Sequence, residues 1–138
     1  MPKPLKWYQP KKKARLRRFL AALRSGEYQQ GQHSLARRTN SPTWRYCCLG
    51  VACEVASKDG LSLQVLKWSK MKTYDGRTDV LPAAVQRWYG FSQPDPALLT
   101  TTASGANDVK GLSFAEIADQ FEQVYLPADY RKRTTNHA

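Results

Sequence analysis

The chain has 138 residues, 41% of them hydrophobic, with four Trp, seven Tyr and four Phe and a formal net charge of +11. That is one ordinary domain with enough apolar and aromatic side chains to bury a core, which excludes a disordered basic protein. No apolar run approaches the ~20 residues that span a bilayer, and no apolar core follows the basic start, so neither a membrane span nor a secretory signal is expected.

The excess charge is confined to the first 53 residues, where Lys3, Lys6, Lys11, Lys12, Lys13, Arg15, Arg17, Arg18, Arg24, Arg37, Arg38 and Arg45 face one acid, Glu27. Residues 54–138 hold ten basic and ten acidic groups and cancel. So one-sided a distribution points to a polyanionic partner for the N-terminal part.

Residues 1–10 carry Pro2, Pro4 and Pro10 among lysines, with Trp7 and Tyr8. Prolines remove backbone donors and bias their predecessors away from helix, so this segment is expected to be an extended arm. From Lys11 the period changes: Leu16, Phe19, Leu20 and Leu23 fall on one face of an amphipathic helix, with Gly26 placed as its C-terminal cap. Lys12, Lys13, Arg15, Arg17 and Arg18 cover its other faces. Cations in a first turn oppose the helix dipole by a few tenths of a kcal/mol each, which an external anionic partner would offset.

Residues 27–42 are polar and rich in Gln, Gly and Ser, a loop or chain of turns holding Arg37 and Arg38. A second helix is expected over Tyr46–Ser57, stopped by Asp59-Gly60. Leu61, Leu63 and Val65 alternate with polar residues as in a strand. Tyr74-Asp75-Gly76 supplies a hairpin turn, with a return strand near Thr78–Leu81. Pro82 opens a third helix that Gly90 closes. Residues 92–105 read as a long connection. In the last element Ser113 and Glu116 form a capping box, Leu112 and Ile117 take the staple positions, and the helical period runs to Leu126-Pro127. A short basic tail with Arg131, Lys132 and Arg133 follows.

The expected architecture is therefore α+β and mainly helical, about four helices and one small β-hairpin around a single core. Residues 1–17 form a basic, extended-to-helical arm, residues 18–127 the globular domain, and residues 128–138 the tail.

Four segments, FLAALRSGEYQQG, YCCLGVACEVA, LPAAVQRWYGF and NDVKGLSFAEIADQFE, occur in this order between Arg18 and Gln123. Together they resemble a set of small bacteriophage and prophage proteins that carry W..ALRSG.Y.QG, CCLGVLC, LP..V..W.GL and LND.G.SF.EIAD.IE. The resemblance implies an accessory phage product acting in the cytoplasm of a bacterial host. The segment MPKPLKWYQPKKKARLRR lies outside that pattern, so the reading from charge rests on this chain alone.

No catalytic signature stands out, and no enzyme activity, metal or other cofactor is expected. Cys47, Cys48, Cys53 and His33 are the conceivable zinc set, but adjacent cysteines chelate one ion poorly and the usual CxxC spacing is missing. Reduced, buried thiols packing the second helix account for them better. A Cys/His couple would depend on His33, since His137 lies in the tail. Asp108, Glu116 and Asp119 include a capping acid and an outward-facing one, which favours a solvated face over an acid cluster. SFAEIADQF has the character of a first helix of a helix-turn-helix, but no short turn and second helix are expected after it. Trp44, Trp68, Trp88 and Tyr89 are read as core and hairpin packing.

The function expected is non-enzymatic binding of nucleic acid, DNA or RNA, or of a nucleoprotein assembly. Lys3, Lys6, Lys11, Lys12, Lys13, Arg15, Arg17 and Arg18 would contact phosphates, Trp7 and Tyr8 would stack, and Arg37, Arg38 and Arg45 would extend the track. The alternative is a host-takeover or counter-defence inhibitor that blocks a bacterial nucleic-acid-processing protein such as a nuclease or polymerase.

Overall fold

The computed structural model describes residues 5–135, with side chains described for residues 10–134. Its helices are α1 (Leu5–Ser25), α2 (Cys48–Lys58), α3 (Ala83–Tyr89), α4 (Ala103–Asp108), α5 (Phe114–Tyr125) and α6 (Pro127–Thr135). Strand β3 (Arg45–Tyr46) lies between β1 (Gln29–Gln30), which it pairs in parallel, and β2 (Ala36–Arg37), which it pairs antiparallel. Strands β4 (Val65–Lys67) and β5 (Lys72–Tyr74) make a separate antiparallel hairpin. The fold is α+β and mainly helical. The four expected helices are joined by α4 and α6, and the expected hairpin by a second small sheet.

The stripe on α1 is buried throughout, with Leu16, Phe19, Leu20 and Leu23 no more than 4% exposed. It packs on α2, α3 and α5. Helix α2 is the central element: Cys48, Leu49, Val51, Ala52, Cys53, Val55 and Ala56 are all buried along it. It passes so close to the loop before β2 that a Cβ on Gly50 would lie 1.7 Å from the Leu35 carbonyl oxygen. Only glycine permits that approach. Phe19, Tyr89, Phe91, Phe121 and Tyr125 form a chain of ring contacts joining α1, α3 and α5.

The local stop and start signals act as expected. Gly90 caps α3 at φ 81°, Gly26 follows α1 at φ 81°, and the Ser113–Glu116 capping box is complete. Four expectations are corrected. Helix α1 begins at Leu5, not after Pro10: Pro10, its sixth residue, leaves the Lys6 carbonyl without its bond and crowds it, a local cost, while the helix beyond is held by its apolar stripe. Lys12 to Arg18 therefore lie beyond the first turn, where the dipole no longer acts on them.

The hairpin also differs from the expected one: its first strand begins only at Val65, later than Leu61, and its turn lies at 68–71, ahead of Tyr74-Asp75-Gly76. Val65–Lys67 pairs with Lys72–Tyr74, and Asp75-Gly76 make a further tight turn at φ 51° and 82° that no strand over 78–81 follows. The polar loop expected over 27–42 contains the short strands β1 and β2, and β3 follows it and takes Tyr46 from the expected second helix, which begins at Cys48. Finally, the tail folds as α6 as far as Thr135. Among the described residues no helix is long and apolar enough to cross a membrane.

Candidate nucleic-acid interface

The cationic residues divide into two groups that the fold uses differently. Those on α1 are largely turned onto the protein itself. The Arg15 guanidinium lies 3.5 Å from the centroid of the Trp88 ring and donates to the Trp88 carbonyl at 2.9 Å. Arg17 pairs with Asp129 of α6 at 2.7 Å, and Arg18 with Asp59 at the end of α2 at 2.7 Å. Arg24 reaches Asp119 at 2.7 Å and Glu122 at 3.4 Å on α5. The hydrogen bond to Arg17 draws the Asp129 pKa below the usual carboxylate value. Lys11 and Lys13 remain exposed on the outer side of the helix, while Lys12 is half-buried with its Cδ beside Gly90. Lys3 lies outside the described residues, as do the side chains of Lys6, Trp7 and Tyr8.

The second group is assembled by the β1–β3–β2 sheet. Along β2 and β3 the side chains alternate, Ala36 and Tyr46 inward and Arg37 and Arg45 outward. Arg37 and Arg45 are direct cross-strand partners. Like charges so placed repel, yet neither has an ion-pair partner among the described residues. They line a concavity of about 330 Å³ with Gly31, His33, Arg38 and Thr39. Among the described residues no α1 side chain lines it, so there the arginines form a site of their own rather than continuing a track along the helix.

The walls of this concavity are fixed from below. His33 adopts φ 70°, donates its backbone N–H to Asp108 at 2.9 Å, and holds Nδ1 3.8 Å from the same carboxylate. Asn107, fully buried, donates to the Gly31 carbonyl at 2.8 Å while its Oδ1 accepts from Gln30 Nε2 at 2.9 Å and the Cys48 amide at 3.2 Å. One side chain thus anchors the β1 loop and satisfies a free donor at the start of α2. On the opposite wall Arg38 lies 4.3 Å from the Trp44 ring centroid and donates from Nε to the Ser69 carbonyl at 2.9 Å. Its backbone N–H donates to the Lys70 carbonyl at 3.0 Å, and Arg37 bridges to Met71. The tip of the β4–β5 hairpin is thereby fixed against the arginines.

A polar network missed in the sequence holds the hairpin to the core. Lys72, 6% exposed, donates to Tyr46 Oη at 2.9 Å and to Glu54 at 3.0 Å, and Tyr74 Oη donates to the same Glu54 oxygen at 2.6 Å. Burial works to lower the Lys72 pKa, but the hydrogen bonds to Tyr46 and Glu54 outweigh it and the net shift is upward. Burial and the Glu54 charge raise the Tyr74 phenol. Lys72 stays charged and Tyr74 neutral, so the network is a tie between elements rather than an acid–base pair.

Other candidates resolve as packing. Cys47, Cys48 and Cys53 are buried, and burial raises the Cys47 thiol to about 11 and the other two well above the usual value, the reverse of an activated nucleophile. Asp119 does not stand alone on a solvated face but pairs with Arg24 and Arg133, and Arg133 also reaches buried Glu122 at 2.6 Å. A helix does follow α5, but only Leu126 separates it, less than the turn of a helix-turn-helix requires. Trp88 and Tyr89 pack as expected, whereas Trp68 does not: it is 55% exposed at the hairpin tip.

The family model described as Domain of unknown function (DUF8296) matches residues 11–129. The chain belongs to this family. The match takes in the whole arginine site, the hairpin and the core, and leaves residues 1–10 outside it. No curated protein and no solved structure matches the chain.

Proposed function

We propose that this DUF8296 member is a non-enzymatic nucleic-acid-binding protein, an accessory product of phage origin acting in the bacterial cytoplasm. The observation that carries the reading is the pairing of Arg37 with Arg45 across two strands, without an acid, in a concavity that also holds His33 and Arg38. A phosphodiester backbone supplies the missing negative charge, and guanidinium forks fit its oxygens bidentately. Lys11 and Lys13 on α1, together with the lysines that precede them in sequence, add a second, non-specific attraction. Arg15 is withdrawn from that role by its packing on Trp88, while Arg17 and Arg18 stay about half exposed in ion pairs with Asp129 and Asp59. The paired arginines stand on short strands rather than on a helix that could enter a groove, so the binding proposed for them is to backbone rather than to sequence.

The test is binding of the full chain to short labelled DNA and RNA, comparing wild type with Arg37→Gln/Arg45→Gln and with Lys11→Gln/Lys13→Gln. Saturable binding that weakens steeply with salt is expected, with a large loss in the arginine variant and a smaller one in the lysine variant. Absence of binding to any polymer at low salt refutes the proposal and favours a host protein as the target.

A further inference from the structure

The tip of the β4–β5 hairpin exposes apolar surface that the fold does not use. Trp68 is 55% and Leu66 42% exposed. The Trp68 backbone N–H closes the tip on the Met71 carbonyl at 2.8 Å, and its indole Nε1 donates to Thr73 Oγ1 at 3.4 Å. The ring is thus held by one edge with much of its surface open. It is followed directly by Ser69 and Lys70, whose carbonyls accept from Arg38. A fixed, open indole therefore stands next in sequence to the segment that holds Arg38.

We propose that this surface takes a single-stranded nucleic acid, with a backbone phosphate between Arg37 and Arg45 and an unpaired base stacked on Trp68. The inference rests on the nucleic-acid reading and narrows it. Bases in a duplex are stacked on one another and offer no free face, whereas an unpaired base gives its π-face to an aromatic side chain whatever its identity. The hairpin is tied down by Lys72 and Glu54 beneath it, so the stacking platform is formed before the ligand arrives.

The experiment is an anisotropy titration of the full chain with a short labelled oligothymidylate, the corresponding oligouridylate and a duplex of equal length. Wild type is compared with Trp68→Ala, Trp68→Phe and Arg37→Gln/Arg45→Gln, each checked by thermal melting. Strands are expected to bind at least tenfold tighter than duplex. Trp68→Ala is expected to weaken strand binding roughly 5- to 150-fold, the range for one stacked base, with duplex binding nearly unchanged and Trp68→Phe recovering most of the loss. Duplex bound as tightly as strand, or unchanged strand affinity in Trp68→Ala, overturns the single-strand inference and leaves the nucleic-acid reading standing. Loss of all binding in the arginine variant alone, with Trp68→Ala silent, overturns it in the same way. No binding by wild type to any of the three polymers overturns both.

Discussion

Arg15 lies flat on Trp88, its guanidinium 3.5 Å from the ring centroid, and closes the contact by donating to the Trp88 carbonyl. A residue that belongs by composition to a basic arm is therefore part of the packing between α1 and α3. Arg17 and Arg18, though about half exposed, are held in surface ion pairs with Asp129 and Asp59. Net charge counts these groups, but a ligand does not meet them as free cations.

It follows that substitutions along α1 separate by position. Arg15→Gln is expected to cost about 1–2 kcal/mol through loss of a partly desolvated cation–π contact and a hydrogen bond. Lys11→Gln is expected to change stability by less than ~0.5 kcal/mol. Urea denaturation of the two variants checks this.

Gly50→Ala is expected to prevent folding or to cost more than ~3 kcal/mol. The new Cβ would meet the Leu35 carbonyl oxygen at 1.7 Å, and the obstruction is backbone, which no rotamer change relieves. The readout is soluble yield and the denaturation midpoint.

Lys72→Met is expected to cost about 3–5 kcal/mol, because it leaves Glu54 charged and largely buried with only Tyr74 as partner. Adding Glu54→Gln is expected to restore a substantial part of that loss. A double-mutant cycle by chemical denaturation measures the coupling.

Stability is expected to fall as pH rises from about 9 to about 11. Burial raises the Cys47 thiol to about 11 and raises Cys48 and Cys53 as well, so the folded pKa values exceed the unfolded ones. The favourable contribution is complete below the unfolded pKa and is lost as pH climbs toward the folded value. Each thiol adds about 1.4 kcal/mol per pH unit within its window. Denaturation at several alkaline pH values measures the slope, and Cys47→Ala should flatten it by one thiol's share.

What the sequence made legible was local. The stripe at Leu16, Phe19, Leu20 and Leu23, the glycine stops at Gly26 and Gly90, and the Ser113–Glu116 box each act within a turn or two of chain, and each is found in place. The two-residue strands β1, β2 and β3 carry no period to detect, and Asn107, 76 residues beyond Gly31 and 59 beyond Cys48, pins the loop to α2. Helix α6 has no apolar stripe; ion pairs from Arg17 to Asp129 and from Arg133 to Glu122 hold it, and such contacts are invisible until the partners are known. Charge asymmetry led to Arg37, Arg38 and Arg45, but not to their assembly into one concavity. Trp68 looked like packing because composition alone does not tell which of four tryptophans remains outside.

The most direct test of the central claim is the slope of log affinity against log salt concentration for a short single strand, in wild type and in Arg37→Gln/Arg45→Gln. Each phosphate contact on a single strand contributes about 0.7 to that slope. Because the two arginines share one phosphate, the slope is predicted to be shallower by about 0.7 in the variant, with weaker binding throughout. An identical slope and affinity in the two proteins would contradict the claim, and would place the anion-binding surface elsewhere on the chain.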